Sequence, residues 1–207
     1  MAVITISRQF GAGGRTLGER LAKSLGYRYV HEDMIKEVAL RAKVTTRKIL
    51  DFERRGTTKL TKFLDKIVKT DYVDRLISSD YGYVDEKGYV DAINTVVEEI
   101  YSEGNAVIIG RGSQFILKGR ENTLHLLLVA NLAYRVRFLA DKYKLKENEA
   151  QKAIERADII RSRYLSFHAP PEEHENPLNY DLAINVERVG MDEVEQMVVH
   201  LISEKGK

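Results

Sequence analysis

The chain has no cysteine, no tryptophan and three prolines, Pro170, Pro171 and Pro177, in 207 residues. Without cysteine there is no disulfide, no thiolate zinc site and no cysteine nucleophile, and the compartment to expect is a reducing one, the cytoplasm. No apolar run approaches the roughly 20 residues that span a bilayer. The opening residues, MAVITISRQF, lack a basic segment followed by an apolar stretch. Neither membrane nor secretion is therefore expected. Neither sign of charge dominates: 33 Lys and Arg against 31 Asp and Glu leave +2. That excludes a surface built wholly to grip nucleic acid, so no nucleic-acid partner is expected.

What is present describes a globular chain. The apolar fraction of 43% and charged fraction of 31% exclude wholesale disorder. The length suits a single domain with a buried core. Charge is unevenly spread. Residues 36–75 hold 12 basic and 6 acidic side chains, a balance of +6; residues 172–207 hold 3 and 9, a balance of −6. Solvated helix faces are the plain explanation, and a border to an anion pocket is the sharper one.

Short β-branched or aliphatic runs alternate with helical periodicity. Strands are expected at residues 2–7 (AVITIS), 27–30, 106–109 (AVII), 124–129 (LHLLLV) and 182–185 (LAIN). Helices are expected at 15–25, 32–43, within 45–80, and at 91–103, 131–143, 147–168 and 191–203, several of them stopped by glycine. Residues 81–90, YGYVDEKGYV, suit a hairpin or an exposed loop. Apolar strands alternating with helices predict an α/β fold with a five-stranded parallel sheet covered on both faces. No repeat or linker divides the chain. Residues 35–103 read as a helical insertion between the second and third strands.

The strongest local signal is a strand, the segment SRQFGAGGRT, and a helix. Glycines at 11, 13 and 14 let the backbone approach a ligand, and the amides of the loop and helix N-terminus together face an anion. Against the phosphate-loop template GxxxxGK(S/T), Gly14-Arg15-Thr16 supplies the end with Arg15 for Lys, while Gln9 stands at the first glycine. Arg15 would meet phosphate through a planar fork, and Thr16 sits where a hydroxyl ligates Mg²⁺. An ordinary glycine turn ahead of a core helix remains the alternative.

The segment AVITISRQFGAGGRTLGERLAKSLGYRYV resembles the opening of the cytidylate kinase-like family, within the nucleoside monophosphate kinases. VIIGRGSQFIL at 107–117, ERADIIRSRY at 155–164 and NYDLAINVERVGMDEVEQMV at 179–198 resemble later parts of that family, in the same order. The resemblance implies a P-loop kinase fold with a helical acceptor-side insertion and a lid at about 144–178. It implies transfer of the γ-phosphoryl group of ATP, with Mg²⁺, to a nucleoside monophosphate, CMP or dCMP being favoured. It maps Gly11, Ala12, Gly13, Gly14, Arg15 and Thr16 onto the ATP-phosphate loop, Thr16 onto the metal and Arg111 onto the acceptor phosphate. Asp158 and Arg161 map onto the lid pair, with Arg156 and Arg163 as neighbouring alternatives. Asp33 is the candidate for the acceptor hydroxyl or outer metal shell, or simply a carboxylate at a helix N-terminus. Two positions depart from cytidylate kinases proper: Gly112 stands for Asp, and His31-Glu32-Asp33 replaces a turn that begins with Asp.

In this reading Arg15 and Arg161 neutralise charge on the transferring group. Three other readings stay open: a kinase of another small hydroxylated acceptor, a nucleotide-binding regulatory protein without catalysis, and a nucleic-acid module resting only on the +6 stretch. A monomer and a homodimer are equally compatible with the sequence. His125, between leucines in a strand, reads as structural. His168 and His174, beside Pro170-Pro171, suggest an exposed lid loop.

Overall fold

The computed structural model describes residues 2–31 and 86–205. Asp33 and the helices expected at 32–43 and within 45–80 lie outside these described residues.

Five parallel strands form one sheet: β1 (Val3–Arg8), β2 (Arg28–Val30), β3 (Ala106–Ile109), β4 (Thr123–Val129) and β5 (Leu182–Asn185), in the order β2-β3-β1-β4-β5. Val3 pairs with both Ala106 and Thr123, so β1 lies at the centre. The described helices are α1 (Gly14–Leu25), α2 (Glu86–Glu103), α3 (Ser113–Ile116), α4 (Leu132–Tyr143), α5 (Glu147–Leu165), α6 (Val186–Val189) and α7 (Met191–Lys205). The part of 81–90 that is described belongs to α2. The expected hairpin or exposed loop is replaced there by a helix that enters the core from Val90 onward.

Each sheet face follows from period-two alternation. Ile4 and Ile6 of β1, Val107 and Ile109 of β3, and Leu124, Leu126 and Leu128 of β4 pack with Leu17 and Leu21 of α1 and Val194 and Val198 of α7. On the other face Val3 and Ile108 meet Ile93, Val97 and Ile100 of α2 and Tyr164 and Leu165 of α5. Polar residues interrupt that second face. Thr5 Oγ1 lies 2.8 Å from Nδ1 of buried His125, a structural role. A smaller cluster, Leu139, Ala150 and Ile154, joins α4 to α5 and takes in Phe10 of the glycine loop.

Part of the acidic C-terminal stretch forms the helix face expected of it. Arg20 of α1 donates to Asp192 at 2.6 Å and to Glu195 at 2.5 Å, and Ser24 donates to Glu195 at 2.6 Å. The basic stretch 36–75 lies outside the described residues. No described helix is long and apolar enough to cross a membrane.

Candidate functional site

The glycine loop leaves the C-terminal end of β1, the edge at which open parallel sheets bind ligands. Gly11 has φ +89° and Gly13 φ +80°, left-handed values that a side chain resists. Gly13 caps α1 without any side-chain hydrogen bond, so the amides of the first turn are served by no capping side chain. Ala12, Gly13 and Gly14 are buried, and Arg15 is exposed.

Three anchors hold the loop. The Gln9 amide donates to Leu128 O at 3.0 Å, and its side chain accepts from Ala130 N at 3.2 Å and donates to Glu175 at 2.9 Å. Asp158 accepts from the Phe10 amide at 3.1 Å and from Arg135 Nη1 at 2.6 Å. The same Arg135 nitrogen donates to Phe10 O at 3.2 Å. Asp158 is therefore tied to the loop through the largely buried Arg135, a residue that sequence reasoning passed over. Its signal was an arginine facing inward at a helical period that otherwise holds Leu139.

Of the three arginines expected for the lid, the structure brings Arg161 to the sheet edge. Arg161 Nη2 donates to Ser7 Oγ of β1 at 3.1 Å and Nη1 donates to Glu175 at 2.7 Å. Arg156 is buried within α5 and Arg163 is exposed. The segment after α5 is largely exposed as expected, at Pro170, Pro171, Glu172, Pro177 and Leu178, but it folds on itself around one buried residue. His174 is 3% exposed, its carbonyl accepts from Tyr180 OH at 2.5 Å, and Asn179 donates to Glu173 O at 3.0 Å. The prolines start two 3-10 turns, Pro171–Glu173 and Pro177–Asn179, whose polar groups close on one another.

Next to the loop, β3 ends in Gly110-Arg111-Gly112, with φ of +68°, +59° and +66°. A left-handed arginine costs about 1–2 kcal/mol, and such outliers gather at ligand sites. Burial pulls the Arg111 guanidinium below the ordinary arginine range. It also pushes the Tyr164 phenol up to about 12, with the Arg111 cation pulling the other way. Gly112 has a direct reason to lack a side chain. A Cβ there would lie 2.5 Å from Cδ2 and 2.8 Å from Nε2 of His168.

Arg8, which sequence reasoning also missed, runs along this edge. It shares the β1 face of Ile4 and Ile6. Its Cγ lies 2.8 Å from where a Cβ would sit on Gly14, and its guanidinium lies over Gly110. The alternation of VITISR was the available signal, since it puts a cation at the end of an apolar face. His31, just past β2, records the local field. Burial, then the charges of Arg111, Arg8 and Arg15, push its pKa down to about 3. Arg15 also pairs with Glu19 at 3.0 Å on the surface of α1. Thr16 Oγ1 accepts from Lys142 Nζ at 2.8 Å.

Glycine-loop amides, a helix N-terminus and the neighbouring Arg8 and Arg111 suit a polyphosphate. Mg²⁺ fits as an ion carried mainly by phosphate oxygens. Among the described residues no group of three His, Asp or Glu forms a protein cage for it. Thr16 can add a hydroxyl once Lys142 turns aside.

The fold and this edge define a P-loop kinase-type phosphotransferase. The sequence profile of the cytidylate kinase-like family matches residues 3–188, and the chain belongs to that family. In three dimensions it is similar to an uncharacterised protein from Eubacterium ventriosum, with TM-score 0.68 and 17% identity over 98% of this chain and 99% of that one. It is also similar to shikimate kinase from Bacteroides thetaiotaomicron, with TM-score 0.53 and 16% identity over 98% of both chains. Shikimate kinase from Acinetobacter baumannii in complex with shikimate gives TM-score 0.51 and 17% identity over 99% of this chain and 94% of that one. No curated protein gives a significant sequence match.

Proposed function

We propose that the protein transfers the γ-phosphoryl group of ATP, with Mg²⁺, to a nucleoside monophosphate, CMP or dCMP being favoured. The observation that carries this reading is the meeting of the glycine loop, Arg8 and the Gly110-Arg111-Gly112 turn at the ends of β1 and β3. Loop amides from Gly11 to Thr16 hold the ATP phosphates. Arg111, fixed in its left-handed turn, faces the acceptor phosphate. Arg161 releases Glu175 and turns from Ser7 onto the transferring group, while Arg15 leaves Glu19 to join it. Mg²⁺, when bound, neutralises charge between the outer phosphates of ATP. Asp158 holds the loop through Phe10, and residues 144–178 act as the lid. A monophosphate acceptor is already an anion, so alignment and charge supply most of the catalysis.

A second reading, a kinase of a small hydroxylated acid, is favoured by Gly112. With the His168 ring against it, this turn has no room for the aspartate of cytidylate kinases proper. The shikimate kinases that share the fold act on such an acid. The test is ADP release with Mg²⁺ across nucleoside monophosphates and small hydroxylated acids, shikimate included. Saturable turnover with CMP or dCMP supports the first reading, and turnover with an acid alone supports the second. ATP binding without turnover on any acceptor would replace both with a regulatory role.

A further inference from the structure

We propose that Arg8, a strand residue outside the glycine loop, supplies the principal phosphate-binding cation of this site, its stem filling the space over Gly14 and its guanidinium delivered to Gly110 beside Arg111. The inference deepens the phosphotransferase reading and rests on it for the identity of the anion.

Three observations support it. First, a phosphate loop normally carries its cation as a lysine next to the helix start, which reaches back over the outer phosphates. The register read from the sequence, Arg15 for the lysine, moves by one in the structure: Gly13 is the left-handed cap and Gly14 the first residue of α1, so Gly14 holds the lysine's place, while Arg15 is exposed and pairs with Glu19. Second, the empty side-chain volume of Gly14 is already used. A Cβ built there would lie 2.8 Å from Arg8 Cγ and 3.1 Å from its Cβ and Cδ. Gly14 has no left-handed φ to explain its lack of a side chain, so the neighbour explains it. Third, the stem leads to the ligand edge. A Cβ on Gly110 would meet Arg8 Nη1 and lie 3.4 Å from Cζ, and Gly110 opens the strained Arg111 turn. The Arg8 charge also reaches His31, which it helps to keep neutral.

The chemistry follows from the geometry. A guanidinium offers a planar pair of donors, where an ammonium offers a point charge. Anchored from the strand and bracketed by two glycines, Arg8 can grip two oxygens of one phosphate while the loop amides hold the next. Strand and loop have exchanged parts, with the cation on β1 and the vacancy on α1.

The test measures calorimetric affinity for inorganic tripolyphosphate and for ATP with Mg²⁺, together with melting temperature. Arg8→Gln is expected to weaken both ligands by about 10- to 100-fold. Gly14→Ala is the sharper variant, since alanine raises helix propensity yet displaces the Arg8 stem. Its Cβ meets the Arg8 stem at 2.8–3.1 Å, so it should weaken binding and lower the melting temperature together, and both losses should shrink when Arg8 is replaced by Ala. The double variant Arg8→Gln with Gly14→Ala should bind no worse than Arg8→Gln alone, because both act through one guanidinium. Arg8→Ala with Gly14→Lys should recover most of the affinity by restoring a loop lysine. Arg8→Gln within about twofold of the parent, or additive losses in the double variant, would overturn the proposal. Binding that depends on Arg8 in a protein that turns over no acceptor would remove the kinase reading and keep this one. Full turnover in Arg8→Gln would do the reverse.

Discussion

Arg161 is held at the sheet edge by Ser7 and Glu175, two contacts that an arriving phosphate would replace. Arg161→Ala should therefore lower kcat by about 10³-fold while changing ATP affinity far less, as expected of a cation used on the transferring group. Single-turnover kinetics separates the two. His31 gives a second prediction. Its pKa in the folded chain is near 3, below the ordinary 6.5, so the folded state keeps it neutral while the unfolded chain takes up a proton. Its contribution is complete above pH 6.5 and is lost as pH falls toward 3, by at most about 1.4 kcal/mol per pH unit. His168, also lowered by burial, adds in the same direction. Urea melts between pH 7 and 4.5 should show the slope, and His31→Asn should flatten it. A polyphosphate beside Arg8 and Arg111 should reverse the sign locally, so that binding at pH 5.5 takes up protons.

Two elements, α4 and α5, hold the loop from outside the sheet. Asp158→Ala leaves the Arg135 guanidinium in a mostly buried position without its carboxylate and removes the acceptor of the Phe10 amide. The expected cost is about 2 kcal/mol of stability, with weaker ATP binding, read by denaturant titration and calorimetry. Gly11→Ala should cost about 1–2 kcal/mol, or roughly 3–8 °C in Tm. Its φ is left-handed, and a Cβ would lie 3.0 Å from Arg135 Cβ and 3.1 Å from Arg135 O. The elements themselves were legible in the sequence. AVII and LAIN form strands at the expected residues, and α7 starts at Met191 as its periodicity implies. Side-chain partners at long range were not. Nothing local to Asp158 announces Phe10, 148 positions away, and nothing in the proline-rich turn announces the bonds that Tyr180 and Asn179 make to it. Residues 86–90 misled because Asp-Glu-Lys-Gly signals a turn, whereas the apolar positions from Val90 onward draw the segment into α2.

Across the whole molecule, the sheet order β2-β3-β1-β4-β5 puts the ends of β1 and β3 side by side. That adjacency brings three separate sequence features, the glycine loop, the Gly110-Arg111-Gly112 turn and His31, to one edge of the sheet. The glycine loop was readable because glycines and a helix start carry a local pattern. Arg8 was not, because an arginine ending a strand acquires meaning only when its stem is seen against Gly14. At Gly112, where the sequence departs from cytidylate kinases proper, His168 fills the space a side chain would need. The central claim is transfer of the γ-phosphoryl group by this one edge. Phosphorus NMR of the purified protein with ATP, Mg²⁺ and CMP or dCMP tests it most directly. The account predicts appearance of the nucleoside diphosphate with matching loss of the γ resonance, abolished in Arg161→Ala. ATP that binds yet keeps its γ resonance, with these and with every other small acceptor supplied, would contradict it.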